Sequence, residues 1–164
     1  MIISWQGKEN FLIRTKNRLI KIGEEIALGD LKIVTPGEYE SGGIQVEVFD
    51  SFVEVCSEKI TVAWVKKAKV LNDQDLERLN GINVLLIGVG GGEFTETKTA
   101  LEVIRQIDPQ VIIPMYSQNP PADRAGLDEF LKEQEATPGA IDQFKFNLVD
   151  LPTEEIKIVV LNAT

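Results

Sequence analysis

The side chains that could do chemistry in this chain follow predicted strands. Lys66 and Lys67 come directly after the predicted strand at 59–65, and Tyr116 comes directly after VIIPM, at the start of a polar loop. Ligands in layered α/β proteins are handled just past the carboxyl ends of buried strands, so these are candidate site residues. A basic pair could attract an anion, whereas a tyrosine, or a lysine whose pKa is lowered by burial, could move a proton.

The composition limits this chemistry. The 164 residues contain no histidine and one cysteine, Cys56. The commonest general base near neutral pH and the commonest transition-metal ligand are therefore missing. Cys56 has no histidine to activate it, which predicts a buried, inert thiol, and no intramolecular disulfide can form.

Charge and hydropathy exclude further classes. The formal net charge is −9, which disfavours binding to nucleic acid because that affinity depends on neutralising phosphates. No apolar stretch is long enough to span a membrane, and the first residues lack the features of a signal peptide. We therefore expect a cytoplasmic protein with neither nucleic acid nor a membrane as its partner.

The first 65 residues consist of short segments in which apolar and polar residues alternate. Such alternation predicts antiparallel strands with one face toward solvent. The stretch LNDQDLERLNG follows and predicts a short helix that begins after Asn72 and stops at Gly81.

The second half of the chain changes character. Residues 82–89 and 111–115 are almost continuously apolar, and they flank an amphipathic helix predicted at about 96–107. This is the pattern of a βαβ unit with a parallel strand pair. A further helix is predicted in GLDEFLKEQEA and a closing strand at 155–161. No repeat or linker interrupts the chain, so residues 1–164 are predicted to form one domain.

Several motifs occur in an order found in a known family. ISWQGKENFLI is similar to I-x-W-x-G-H-S-C-F-x-I, TPGEYESGGIQV to G-P-G-E-Y-E-x-x-G-V-x-V, and EVIRQIDPQVIIPMYS to x-x-I-x-x-I-x-P-x-x-V-I-P-M-H-Y. Together they resemble the metallo-β-lactamase superfamily, in its small bacterial branch of Zn-dependent hydrolases. The resemblance implies an α/β fold: a truncated αββα sandwich of two packed mixed sheets with helices outside.

The metal ligands of that family do not carry over. The resemblance places Lys8 at the histidine of G-H-S, Lys66 at the bridging aspartate, and Tyr116 at the histidine of P-M-H. RLIKIGEEIALGD runs directly into LKIVTPGEYE, which leaves no room for the family's H-x-H-x-D-H loop. We therefore expect no metal and no cofactor, with Lys8 and Lys66 supplying fixed positive charge where the family holds its ions.

The Gly-rich segment GVGGGEF, which includes Gly90, Gly91 and Glu93, follows the buried run at 82–89. A Gly-rich turn between a strand and a helix could cradle a phosphate, but the segment matches neither common nucleotide-binding motif in full. The resemblance implies instead a tight turn at the rim of the old site. Glu38 and Glu40 share one face of a predicted strand and could be considered as a pair of catalytic carboxylates. The resemblance implies instead that this segment has a structural role.

Two hypotheses for function follow. The leading one is a metal-free, catalytically inactive member of the fold that serves as a binding, regulatory or assembly module, in which Lys8, Lys66, Tyr116, Gly90 and Gly91 mark a vestigial site. One expected partner is a second copy of the chain, because the missing loop leaves a surface or a strand edge uncovered. The other is a protein or a small molecule that the sequence does not identify.

The alternative is a divergent hydrolase that works without the dinuclear zinc centre. It would use Lys66, Tyr116 and Glu93 around the old cavity, with lysine as a base if burial lowers its pKa. An open pocket among these side chains would favour the hydrolase, and a filled cavity would favour the inactive module.

Overall fold

A computed structural model of the protein describes residues 1–118 and 124–164. The polar loop predicted after Tyr116 runs into residues 119–123, which lie outside the described residues. The helices are α1 (Asp73–Arg78), α2 (Thr97–Ile107), α3 (Ala125–Glu133) and a 3-10 helix (Leu148–Asp150). The strands are β1 (Ile2–Trp5), β2 (Phe11–Arg14), β3 (Leu19–Ile22), β4 (Ile26–Leu28), β5 (Leu31–Ile33), β6 (Gly37–Ser41), β7 (Ile44–Val48), β8 (Val53–Ser57), β9 (Ile60–Val65), β10 (Val84–Gly88), β11 (Val111–Met115), β12 (Ala140–Ile141), β13 (Phe144–Lys145), β14 (Lys157–Ile158) and β15 (Val160–Leu161).

Two large sheets contribute to one continuous hydrophobic core. The six-stranded sheet has the order β13-β1-β2-β3-β4-β5, and its strand pairs are antiparallel. The seven-stranded sheet has the order β14-β11-β10-β9-β8-β7-β6. It is mixed, because β9, β10, β11 and β14 run parallel whereas β6 to β9 are antiparallel. The predicted sandwich is confirmed. Both sheets were predicted to be mixed, whereas the described strand pairs of the six-stranded sheet are all antiparallel.

The βαβ unit is also confirmed. All five residues of β10 and all five of β11 are buried, and the two strands pair in parallel. Their continuous apolar runs suit strands covered on both faces. The buried stripe of α2 includes Ala100, Val103, Ile104 and Ile107, at the predicted helical spacing.

The alternating first half of the chain is divided between the two sheets. Strands β1 to β5 belong to the six-stranded sheet and β6 to β9 to the seven-stranded one. Within this half of the chain, the connection from one sheet to the other is residues 34–36, between β5 and β6. Each of these two strands lies at the end of its sheet, so within residues 1–118 and 124–164 both sheets have a free edge where the chain crosses.

Three local predictions need correction. The side chain of Asn72 caps α1 as predicted by accepting a hydrogen bond from the backbone N–H of Asp75, but the helix ends at Arg78, before Gly81. The closing strand is split, because its first half pairs with β11 and its second half with β12. Cys56 is partly exposed on β8 rather than buried.

Within the described ranges, no helix combines the length and the apolar character that crossing a lipid bilayer requires.

Candidate functional site

The segment after β9 is held tightly against the end of β10. A side chain at Gly88 would overlap the backbone carbonyl of Lys66, so glycine is needed for this close approach. The hydroxyl of Thr95 accepts a hydrogen bond of 2.8 Å from the backbone N–H of Ala68. The backbone around Lys66 is therefore held by the end of β10 on one side and by Thr95, just before α2, on the other.

Lys66 is the centre of an ion cluster that joins the two sheets. Its ammonium lies 2.7 Å from Oε1 of Glu9, in the loop between β1 and β2, and 3.7 Å from Oε2 of Glu93, in the Gly-rich turn. The Glu9 side chain is 12% exposed and that of Glu93 is 44% exposed, so the Glu9 contact is the better shielded of the two. The ring of Phe94 lies 5.9 Å from the same ammonium.

The charges in this cluster stabilise one another. The hydrogen bond to Glu9 raises the pKa of Lys66, and this outweighs the lowering effect of burial. Burial on its own would raise the pKa of Glu9, but the hydrogen bond from Lys66 and the charges of Lys66 and Lys8 lower it overall. Lys66 is thus held as a cation and Glu9 as an anion at neutral pH.

Two tryptophans position the loop that carries Glu9. The indole N–H of Trp64 donates to the backbone carbonyl of Glu9 at 3.0 Å, and that of Trp5 donates to the carbonyl of Lys8 at 2.8 Å. The ring of Tyr116 lies 4.8 Å from that of Trp5, tilted by 47°. Tyr116 is 7% exposed, so it is a core residue that packs against Trp5, next to the loop between β1 and β2.

Lys8 is close in sequence but does not join the ion cluster through a salt bridge in the described part of the chain. It is exposed and has a left-handed backbone conformation, with φ of 51°. Its charge nevertheless contributes to the lowered pKa of Glu9.

The Gly-rich turn borders the cluster on the side of the seven-stranded sheet. Gly90 has φ of +87°, and a side chain there would overlap the backbone of Gly126 in α3. The backbone N–H of Gly91 bonds to the carbonyl of Thr95, and the Lys67 ammonium donates to the carbonyl of Gly92 at 2.7 Å. The turn is therefore a packed structural element that brings Glu93 within reach of Lys66.

The family's fold implies a zinc centre, and the donor set here does not suit one. Zinc is bound by thiolate, imidazole and carboxylate groups, whereas a protonated ammonium repels it. Lys66 is held protonated by its two carboxylate neighbours. Across residues 1–118 and 124–164, no group of three or more His, Cys, Asp or Glu side chains is placed to hold a metal ion.

The structure thus brings Glu93, through the turn that contains Gly90 and Gly91, to Lys66. Tyr116 packs against Trp5 instead, and Lys8 makes no salt bridge to the cluster among the described residues. Sequence reasoning missed Glu9, the principal partner of Lys66. A signal was available: a lysine at an inward-facing site requires an anion, and Glu9 adjoins Lys8 in a loop already placed at this site.

The comparisons with known proteins agree with this architecture. The Beta-lactamase superfamily domain matches residues 6–116, about two thirds of the chain. The chain therefore belongs to the metallo-β-lactamase superfamily. A search of curated proteins gives no match.

Solved structures share the fold along most of the chain. A candidate Zn-dependent hydrolase of this superfamily from Thermotoga maritima superposes with a TM-score of 0.83 at 23% identity, over 98% of both chains. Igni18, a metallo hydrolase from Ignicoccus hospitalis, gives a TM-score of 0.62 at 11% identity, over 89% of this chain and 99% of that one. A candidate metal-dependent hydrolase from Parabacteroides distasonis gives 0.58 at 10% identity, over 82% of this chain and 89% of that one. With identities below 25%, these superpositions establish a common fold.

Proposed function

We propose that this protein is a metal-independent, catalytically inactive member of the metallo-β-lactamase superfamily that acts as a binding, regulatory or assembly module. The observation that supports the proposal is the ion cluster of Lys66, Glu9 and Glu93. By resemblance, Lys66 stands where the family has its bridging aspartate. A cation paired to two carboxylates there replaces the charge that metal ions would supply.

The same cluster argues against a hydrolase that uses Lys66 as a base. A lysine base needs a pKa lowered toward neutrality, and here the pKa is raised by the hydrogen bond to Glu9. Tyr116, the second residue of that alternative, is buried beneath Trp5 rather than presented to solvent. The hydrolase names of the structural relatives therefore describe a chemistry that these residues do not support.

A cytoplasmic location is part of the proposal. The chain contains one cysteine and can form no intramolecular disulfide, which suits a reducing compartment.

The test is a direct measurement of zinc binding. The purified protein is incubated with excess zinc, desalted and analysed by inductively coupled plasma mass spectrometry, beside an unrelated apo zinc enzyme as a positive control. We expect the zinc content to stay far below one ion per chain and the melting temperature to be unchanged by EDTA. Two tightly bound zinc ions per chain would overturn the proposal.

A further inference from the structure

The end strands of the two sheets, β5 and β6, lie on either side of residues 34–36. We propose that this surface, defined by β5, residues 34–36 and β6, binds a second copy of the chain, so that β5 of one copy pairs with β6 of the other. The inference deepens the proposed function, because it rests on the protein acting as an assembly module and names its partner.

The edges carry uncovered apolar groups. Leu31 of β5 is 46% exposed, and Val34, in the connection, is 81% exposed. Leu31 pairs with the buried Leu28 and therefore points to the core side of its sheet. Its exposure means that the core is incompletely covered at this edge, which a partner could complete.

The edge of the six-stranded sheet presents basic residues on its outer face. Lys32 lies opposite Ala27, which lies opposite Lys21, and these three form one row across β5, β4 and β3. Lys21 and Lys32 are both exposed. Lys32 has one acidic neighbour, Glu25, whose Oε1 lies 2.8 Å away, so part of its charge is offset within the chain.

The edge of the seven-stranded sheet presents acidic residues on its outer face. Glu38 lies opposite Glu47, which lies opposite Glu54, in a row across β6, β7 and β8. Glu40, two residues along β6, is exposed on the same face. The end strands of the two sheets thus carry opposite charges on their outer faces.

Opposite charge selects one arrangement of two copies. A two-fold axis along the strands would place β5 beside β6 of the other copy twice, and each pairing would set the Lys32 row against the Glu38 row. A two-fold axis perpendicular to the sheets would instead pair β5 with β5 and β6 with β6, which sets like charges side by side. Like charges opposite one another in a sheet are destabilising, whereas opposite charges stabilise it. The first arrangement also extends each sheet into the other and brings the two copies of Leu31 and Val34 together at the centre.

The experiment is sedimentation velocity on the full chain, from low micromolar to submillimolar concentration, at low and at high salt. We expect a dimer that dissociates on dilution and weakens as salt rises. Lys32→Glu and the double variant Glu38→Lys with Glu40→Lys should each raise the dissociation constant at least about tenfold. Combining all three substitutions in one chain should restore the dimer, because the charges are exchanged and remain complementary.

Controls distinguish this interface from others. Lys145→Glu reverses a charge on β13, the opposite edge of the six-stranded sheet, and should leave the dimer unchanged. Glu25→Gln tests whether loss of the contact within the chain accounts for the effect of Lys32→Glu, and it should not weaken the dimer. Circular dichroism of each variant establishes that it is folded.

Several outcomes would contradict the inference. They are a wild-type protein that stays monomeric at every concentration, a dimer insensitive to charge reversal at 32, 38 and 40, or a mixture of wild type with the Glu38→Lys, Glu40→Lys variant that associates more tightly than wild type alone. The last result would indicate like-edge pairing. Zinc content is measured on the same samples, so that bound zinc counts against the proposed function and a monomer counts against the interface.

Discussion

The ammonium of Lys66 lies 2.7 Å from Oε1 of Glu9, and this contact joins the end of β9 in one sheet to the loop between β1 and β2 in the other. Glu93 adds a second, more exposed carboxylate at 3.7 Å. The indole N–H of Trp64 adds a further polar contact between the same two elements, to the backbone carbonyl of Glu9 at 3.0 Å.

Replacing Lys66 should destabilise the fold. Lys66→Met leaves the mostly buried Glu9 without its cation, and we expect the free energy of unfolding to fall by about 1 to 2 kcal/mol, between the values typical of surface and of buried pairs. Urea unfolding at neutral pH measures this. Adding Glu9→Gln to Lys66→Met should recover much of the loss, and Glu93→Gln alone should cost less than Lys66→Met. A cycle with no coupling between Lys66 and Glu9 would contradict the stabilising role of the pair.

The contribution of Glu9 should depend on pH in acid. Its pKa is lowered in the folded protein, so its stabilising effect is present above its unfolded pKa and is lost as pH falls through its folded pKa. The stability difference between wild type and Lys66→Met should therefore shrink below about pH 4. Urea unfolding of both proteins across the acid range checks this, and a constant difference would count against it.

Glu54 should make the protein less stable as pH rises. Burial, followed by the nearby charge of Glu47, raises its pKa to about 7, and Oε1 is buried without a hydrogen-bond partner among the described residues. An acid whose folded pKa is raised costs stability on ionisation, so the free energy of unfolding should fall between about pH 5 and about pH 7.5. Glu54→Gln should flatten that dependence and stabilise the protein at about pH 8 by about 1 to 2 kcal/mol, a value reduced for partial exposure. Glu47→Gln should have a smaller effect in the same direction, and an unchanged pH profile in Glu54→Gln would contradict this account.

Tyr116 should contribute to stability through its ring. Tyr116→Ala removes the contact with Trp5 and leaves a cavity beside that ring, which should cost about 3 kcal/mol. Tyr39→Ala is the matched control, because the other tyrosine of the chain is partly exposed on an edge strand, and its loss should cost clearly less. Thermal and urea unfolding of both variants measure the difference. Equal losses of stability in the two variants would contradict the larger contribution expected of Tyr116.

The Gly-rich turn should be sensitive at one glycine and tolerant at another. Gly90→Ala combines a left-handed backbone with overlap on the backbone of Gly126, and we expect a loss of about 3 kcal/mol or more, or failure to fold. Gly92→Ala also requires a left-handed backbone, but its side chain would meet open space, so the loss should be about 1 kcal/mol. Soluble yield and urea midpoints compare the two variants, and similar values would refute the packing argument.

Parts of the fold could be predicted because their sequence patterns are compatible with one type of structure. The apolar runs at 84–88 and 111–115, with the stripe of α2 between them, specify a parallel unit covered on both faces. The division of the first half between two sheets could not be predicted, since strands β1 to β9 share the same alternation whichever sheet they join. The split of the closing strand depends on pairing with β11 and β12, which are distant in sequence.

The candidate site was predictable where spacing along a strand determines position. Lys66 and Tyr116 follow β9 and β11, two parallel strands separated only by β10, so their position at the same edge of the sheet follows from topology. The partner of Lys66 was not predictable in the same way, because Glu9 comes from the other sheet and its approach depends on how the sandwich closes. Lys8 is exposed beside Glu9, with a left-handed backbone, and it makes no salt bridge to the cluster among the described residues.

The contact between Gly90 and Gly126 links the Gly-rich turn to the first turn of α3, two positions that are distant in the sequence. A side chain at either glycine would occupy space that the other residue's backbone already fills. The two positions therefore constrain each other. A library randomised at both should return glycine at both. A larger residue at one position cannot be compensated at the other, because glycine already has the smallest side chain. Any redesign of the Gly-rich turn has to begin from the start of α3.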